Sequence, residues 1–198
     1  MAQFGKQRFP KAYQSAVGMK ARGDLHKNSK ELVLILKNNN ILNSNSTVFE
    51  LGSGPARNLH YVHQEFKTNN IYCSDLFKEA SISNMSNEIK NIVTFYEGDS
   101  QDVINNNIVK DLDLFLVSDH FMHLQYEKAD YIIKKILSDW NPKYIMLREL
   151  KKEFETPNHP RLFHNYDQFL TKYEMIEETI SEQDKAYFIW LLKKKKGN

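Results

Sequence analysis

One cysteine, Cys73, stands among 198 residues, so the chain can form no internal disulfide and cannot assemble a cysteine-rich metal site. Zinc-finger and disulfide-scaffold classes drop out, and a lone cysteine suits a reducing, cytoplasmic setting. Long apolar runs are missing as well. Nothing approaches the 18 or more apolar residues of a membrane span, and the opening MAQFGKQRFPKAY lacks the apolar stretch of a secretory signal. These absences lead us to expect an intracellular protein with no membrane partner. Charge of one sign is scarce too: 27 Lys and Arg against 25 Asp and Glu leave a net charge of +2. No field of that size predicts nucleic-acid binding, and the lysines at 193–196 read as a solvated tail. What is present is 41% hydrophobic and 26% charged residues, enough for one soluble domain with a substantial core.

Residues 1–44 read as an N-terminal helical segment and lid. Phe4, Phe9 and Tyr13 lie in its aperiodic first part, and a helix is expected over 27–38, where Ser29 precedes a dense apolar run. Residues 45–198 alternate instead. Strand patterns near 48–51, 71–74, 92–96, 112–117 and 144–147 are separated by helix patterns over 57–66, 78–89 and 126–140. The run LDLFLV is almost wholly apolar, as a strand covered by helices on both faces should be. This alternation predicts an α/β protein with an open parallel sheet and right-handed crossovers. Segments 173–180 and 186–192 behave differently, because only the polar turn SEQDK separates them. That gap suits an antiparallel hairpin and is too short for a crossover helix.

The chemistry concentrates in TVFELGSGPARNL. Glu50 ends the first strand, Gly52 and Gly54 form the turn, and a helix follows. Glycines let a ligand approach the backbone closely, and free N–H groups at the helix start favour an anionic group. The dinucleotide pattern G-x-G-x-x-G breaks at Arg57, where a bulky side chain stands in place of the third glycine, and no G-K-[ST] follows for a phosphate loop. A nucleoside ligand without a pyrophosphate is what remains.

Here Glu50-Leu51-Gly52-Ser53-Gly54-Pro55-Ala56 resembles the first motif, [DE]-x-G-x-G-x-G, of the class I S-adenosylmethionine-dependent methyltransferases, with Ala56 at the third glycine. The resemblance extends from about residue 45 to 195 and implies a Rossmann-like three-layer αβα sandwich. Its seven-stranded, mostly parallel sheet would end in an antiparallel hairpin. It also implies S-adenosylmethionine as cofactor and S-adenosylhomocysteine as product. Asp75, at the end of IYCSD, would then accept the ribose hydroxyls, and an acid about 20 residues past a glycine turn is placed to do so; a helix cap is the competing role. Asp99 in FYEGDSQD would take the adenine amino group with Ser100 against the ring, again with capping as the rival. Glu50, Gly52, Ser53, Gly54, Asn58 and Leu76 complete the implied cofactor contacts, together with Ser118 and Asp119 of SDHFMHL.

His120 and His123 in the same segment are the best general-base residues, since an attacking hydroxyl or ammonium must lose a proton and imidazole titrates near working pH. Each competes with an ordinary buried role. As zinc ligands their i, i+3 spacing is weak, and no metal is expected. The long loop RELKKEFETPNHPRLFHNYDQF is placed to cover an acceptor pocket, as is the N-terminal segment. Arg148, His159 and Arg161, with Tyr13, are its acceptor-binding residues, the arginines suiting a carboxylate or phosphate. No N-P-P-Y tetrad is present, and Cys73 sits within a strand. The expected acceptor is therefore an O or N atom of a small metabolite. Rival readings are a protein or RNA methyltransferase with a separate recognition partner, and a cofactor-binding module without turnover.

Overall fold

A computed structural model describes residues 26–155 and 161–196. The first helix, α1 (His26–Asn38), is followed by β1 (Thr47–Leu51), α2 (Arg57–Phe66), β2 (Asn70–Asp75), α3 (Lys78–Asn84), α4 (Asn87–Lys90) and β3 (Val93–Glu97). Then come α5 (Ser100–Asn106), β4 (Leu114–Ser118), α6 (Tyr126–Lys135), β5 (Tyr144–Leu150) and the hairpin β6 (Tyr173–Ile180) and β7 (Tyr187–Lys194). The sheet runs β3-β2-β1-β4-β5-β7-β6. The strands β1 to β5 pair in parallel, and β7 joins both β5 and β6 antiparallel. The parallel sheet and the closing hairpin therefore stand as expected.

The central strands are apolar on both faces because both are covered. Phe49, Phe115, Val117 and Leu147 pack with Ile132, Ile133, Trp140 and Phe169 on one side. Val48, Leu114, Leu116 and Met146 pack with Leu32, Leu36, Leu59 and Val62 of α1 and α2 on the other. Helix α1 thus shares the core of the sheet.

Several boundaries differ from the sequence patterns. The apolar stretch over 78–89 is two short helices, because Met85 is extended and the Ser86 hydroxyl caps the second by accepting from the Ile89 N–H. Helix α6 passes into a π-helical turn, Ile136–Trp140, where the buried Trp140 indole donates to the Ile104 carbonyl at 2.8 Å. Strand β4 begins at Leu114, and β5 continues to Leu150 with Arg148 and Glu149 both buried.

From β1 the chain crosses by way of β2 to β3 on one side, then returns through α5 to β4 on the other. The carboxyl ends of β1 and β4 therefore flank the point where the strand order reverses, the place where open α/β sheets hold ligands.

Candidate active site

The turn after β1 is left-handed three times over. Gly52 has φ +69°, Gly54 φ +52° and Ala56, the N-cap of α2, φ +54°. Asp75 clasps this turn from the end of β2. Its Oδ2 accepts from the Gly54 N–H at 2.9 Å and its Oδ1 from the Phe77 N–H at 3.0 Å. The Ser53 N–H donates to the Ser74 carbonyl at 2.9 Å, closing the two loops together. A side chain added at Gly54 would meet no atom within 4 Å, so the space above it is open.

Glu50 is 1% exposed. Its Oε1 accepts from Asn58 Nδ2 at 2.6 Å, while its buried Oε2 has no hydrogen-bond partner. Burial pushes its pKa up to about 8, and repulsion from Asp75 and Asp119 adds to the rise. A lone buried carboxylate oxygen of this kind fits a cationic ligand group. Leu76, half-buried, sits between Asp75 and Phe77 in the second loop.

Asp99 caps α5, its Oδ1 accepting from the Gln101 N–H at 2.9 Å, and its Oδ2 pairs with Lys128. The helix it starts was not marked by the sequence pattern. Ser100 Oγ lies 2.7 Å from His120 Nε2. The His120 ring also covers Gly52, where an added Cβ would stand 2.1 Å from its Nδ1. This imidazole thus spans the loops that follow β1 and β3. Burial drives its pKa well below the ordinary 6.5, helped by the charges of His123 and Lys128, so it stays neutral. His123 is half-buried in the short 3-10 turn Phe121–His123, its N–H donating to the His120 carbonyl at 3.0 Å.

Ser118 ends β4, paired with Arg148 of β5, and Asp119 follows at φ +56°. Arg148 is 1% exposed; its guanidinium pairs with Asp119 and lies 4.1 Å from the centre of the Tyr187 ring. Its charge is met inside the protein. Arg161 is exposed, and its charge acts on the Tyr187 hydroxyl. Tyr13 and His159 fall outside the described residues. Among the described residues no group of three or more His, Cys, Asp or Glu is arranged to hold a metal, and no helix is long and apolar enough to cross a membrane.

Sequence reasoning passed over Glu149 and Lys128. Glu149 is wholly buried and accepts from the backbone N–H groups of the loop after β4. The available signal was the pair of charges, Arg148 and Glu149, inside an apolar strand.

No protein-family model matches the chain, and no curated protein matches it. Solved structures do. An O-methyltransferase family protein from Burkholderia thailandensis superposes with a TM-score of 0.69 at 15% identity, over 95% of this chain and 63% of that one. Magnesium protoporphyrin IX methyltransferase from Synechocystis PCC 6803, solved with bound S-adenosylmethionine, gives 0.63 at 13% identity, over 98% and 92%. Small RNA methyltransferase HEN1 gives 0.63 at 18%, over 86% of this chain and 25% of that one, so this chain spans only a quarter of its length. Sheet order, closing hairpin and these likenesses agree: the fold is that of the class I methyltransferases.

Proposed function

We propose that the protein is an S-adenosylmethionine-dependent methyltransferase acting on an O or N atom of a small metabolite. The observation that carries this is the clasp of the Gly54 N–H by Asp75 at the carboxyl ends of β1 and β2, beneath open space and beside the unpartnered Oε2 of Glu50. S-adenosylmethionine would supply an electrophilic methyl on a sulfonium. In this reading Glu50 faces its ammonium group, Asp75 accepts from the ribose hydroxyls, and Asp99 and Ser100 border the adenine. In the same reading Ser53, Asn58, Leu76, Ser118 and Asp119 would complete the cofactor contacts.

The contribution of this chain is mainly placement. Holding donor and acceptor in line lowers such a barrier by up to about 7–11 kcal/mol. His120 is neutral, but the burial that holds its pKa well below 6.5 also makes its imidazole a weak proton acceptor, which suits a positioning part better than that of a general base. His123 stands one turn further on the same loop. In this reading exposed Arg161 meets an acidic acceptor, while Arg148 fixes Asp119. Magnesium protoporphyrin IX methyltransferase was solved with bound S-adenosylmethionine, which supports the cofactor, and the Burkholderia thailandensis O-methyltransferase family protein supports an oxygen acceptor. The single, buried Cys73 suits a cytoplasmic setting.

The test is transfer of label from methyl-tritiated S-adenosylmethionine into separated metabolite, RNA and protein fractions. Label in the metabolite fraction is expected. Label in RNA or protein instead would overturn the acceptor class, and no label in any fraction from a chain that binds the cofactor would make it a binding module.

A further inference from the structure

Glu149 is a fully buried carboxyl near the end of β5 on which three consecutive backbone N–H groups converge. Its Oε1 accepts from His120 at 2.9 Å and Phe121 at 2.9 Å, and its Oε2 from Met122 at 3.2 Å. The neighbouring Arg148 grips the residue before them. Its carbonyl accepts from the Asp119 N–H at 2.8 Å, and its guanidinium pairs with the Asp119 carboxylate. Four successive residues of the loop after β4 are thereby tied to two successive residues of β5.

Such a grip is costly, because a carboxyl taken out of water loses its hydration and the hydrogen bonds it accepts must offset that loss. Pairing of β4 with β5 needs no charge at position 149, since the strands are already joined through their backbones. What the carboxyl does provide is a remote cap. The 3-10 turn Phe121–His123 opens without any side-chain cap of its own, and its first donors end on Glu149. Asp119 and Tyr166 are the titratable groups that face the carboxyl, the Tyr166 hydroxyl lying beside it without a well-formed hydrogen bond.

The cargo of this loop is the His120 ring, which stands over Gly52 and reaches Ser100. We propose that Glu149 is a positioning residue, holding the loop after β4 so that the His120 imidazole bridges the glycine turn and Ser100 along the wall of the cleft. Its meaning for catalysis rests on the methyltransferase reading; its geometry does not.

The test uses the full chain, labelled with nitrogen-15, and the Glu149→Gln variant, which keeps shape and one acceptor oxygen but turns an NH2 toward a backbone donor. Above pH 8, where Glu149 of the unaltered chain is ionised, the amide protons of His120, Phe121 and Met122 should move upfield in the variant, and the donor that meets the new NH2 should exchange at least about tenfold faster, with amides of β1 and β2 unchanged; tenfold corresponds to about 1.4 kcal/mol of lost protection. The His120 ring should then titrate nearer its ordinary 6.5, whereas in the unaltered chain it stays neutral well below that. Lost packing alone would lower the melting temperature and leave that titration unmoved. Should Glu149→Gln fail to fold, the unaltered chain still decides: the three amide resonances must titrate together, with one apparent pKa. Independent titration, or a variant with unchanged amides and ring, overturns the assignment. Calorimetry with S-adenosylhomocysteine separates the two readings. A chain that shows these amide and ring shifts yet does not bind that compound retains the positioning role and loses the methyltransferase function.

Discussion

Three neighbouring residues of the glycine turn carry different loads. Gly54 needs only its left-handed φ, since an added Cβ would meet nothing within 4 Å. Gly52 needs both its φ and the room, because the His120 ring occupies the space where a Cβ would go. Ala56 already carries a Cβ at φ +54° while wholly buried, and so stores the strain that the third glycine of the motif avoids. Urea denaturation should therefore show Gly54→Ala costing about 1–2 kcal/mol and Gly52→Ala distinctly more, with part of the excess recovered in the double variant with His120→Ala. Ala56→Gly should be neutral or stabilising by up to about 1 kcal/mol. Equal costs at 52 and 54, or no recovery in the double variant, would contradict the placement of the ring. At this scale the tight bend at Gly52 and Gly54, which the structure joins to Asp75 through the Gly54 N–H, was legible in the sequence. Glu149 was not, since a charge at the end of an apolar strand reads as the strand stopping, and only the fold reveals the loop donors that meet it.

Elements were legible where hydrophobic periodicity is strong and faint where local capping decides. β1 and β4 are buried along nearly their whole length, and their apolar runs announced it. Helix α5 is seven residues, SQDVINN, with only Val103 and Ile104 buried, too short for a period to register. Its signal was the Asp99 cap, which in sequence is the same residue that a cofactor site would use. The break between α3 and α4 likewise rests on one hydroxyl, that of Ser86, inside a stretch whose apolar spacing suggested a continuous helix. Capping thus decided the structure at two places, once where periodicity was silent and once where it suggested a longer helix.

For the whole molecule, the buried carboxyls make stability depend on pH with a defined sign. Burial raises Glu50 and Glu149 each to about 8 from an ordinary 4.5, so folding favours their neutral forms. Their contribution is complete below about pH 4.5 and is lost as pH climbs through 8. His120 is shifted the other way, and its contribution is lost as pH falls below 6.5. Between pH 6.5 and 8 the carboxyls act alone, with a slope of up to about 1.4 kcal/mol per pH unit for each group. The urea midpoint should fall across that window, and Glu50→Gln should flatten the fall. A level profile in the unaltered chain would show that neither carboxyl is held neutral.

Calorimetric titration of S-adenosylhomocysteine into the chain and into Asp75→Ala bears most directly on the cofactor cleft. One-to-one binding that weakens at least about tenfold on removal of the Asp75 carboxylate is the predicted result. No heat of binding with the unaltered chain, or an affinity undiminished in Asp75→Ala, would contradict it.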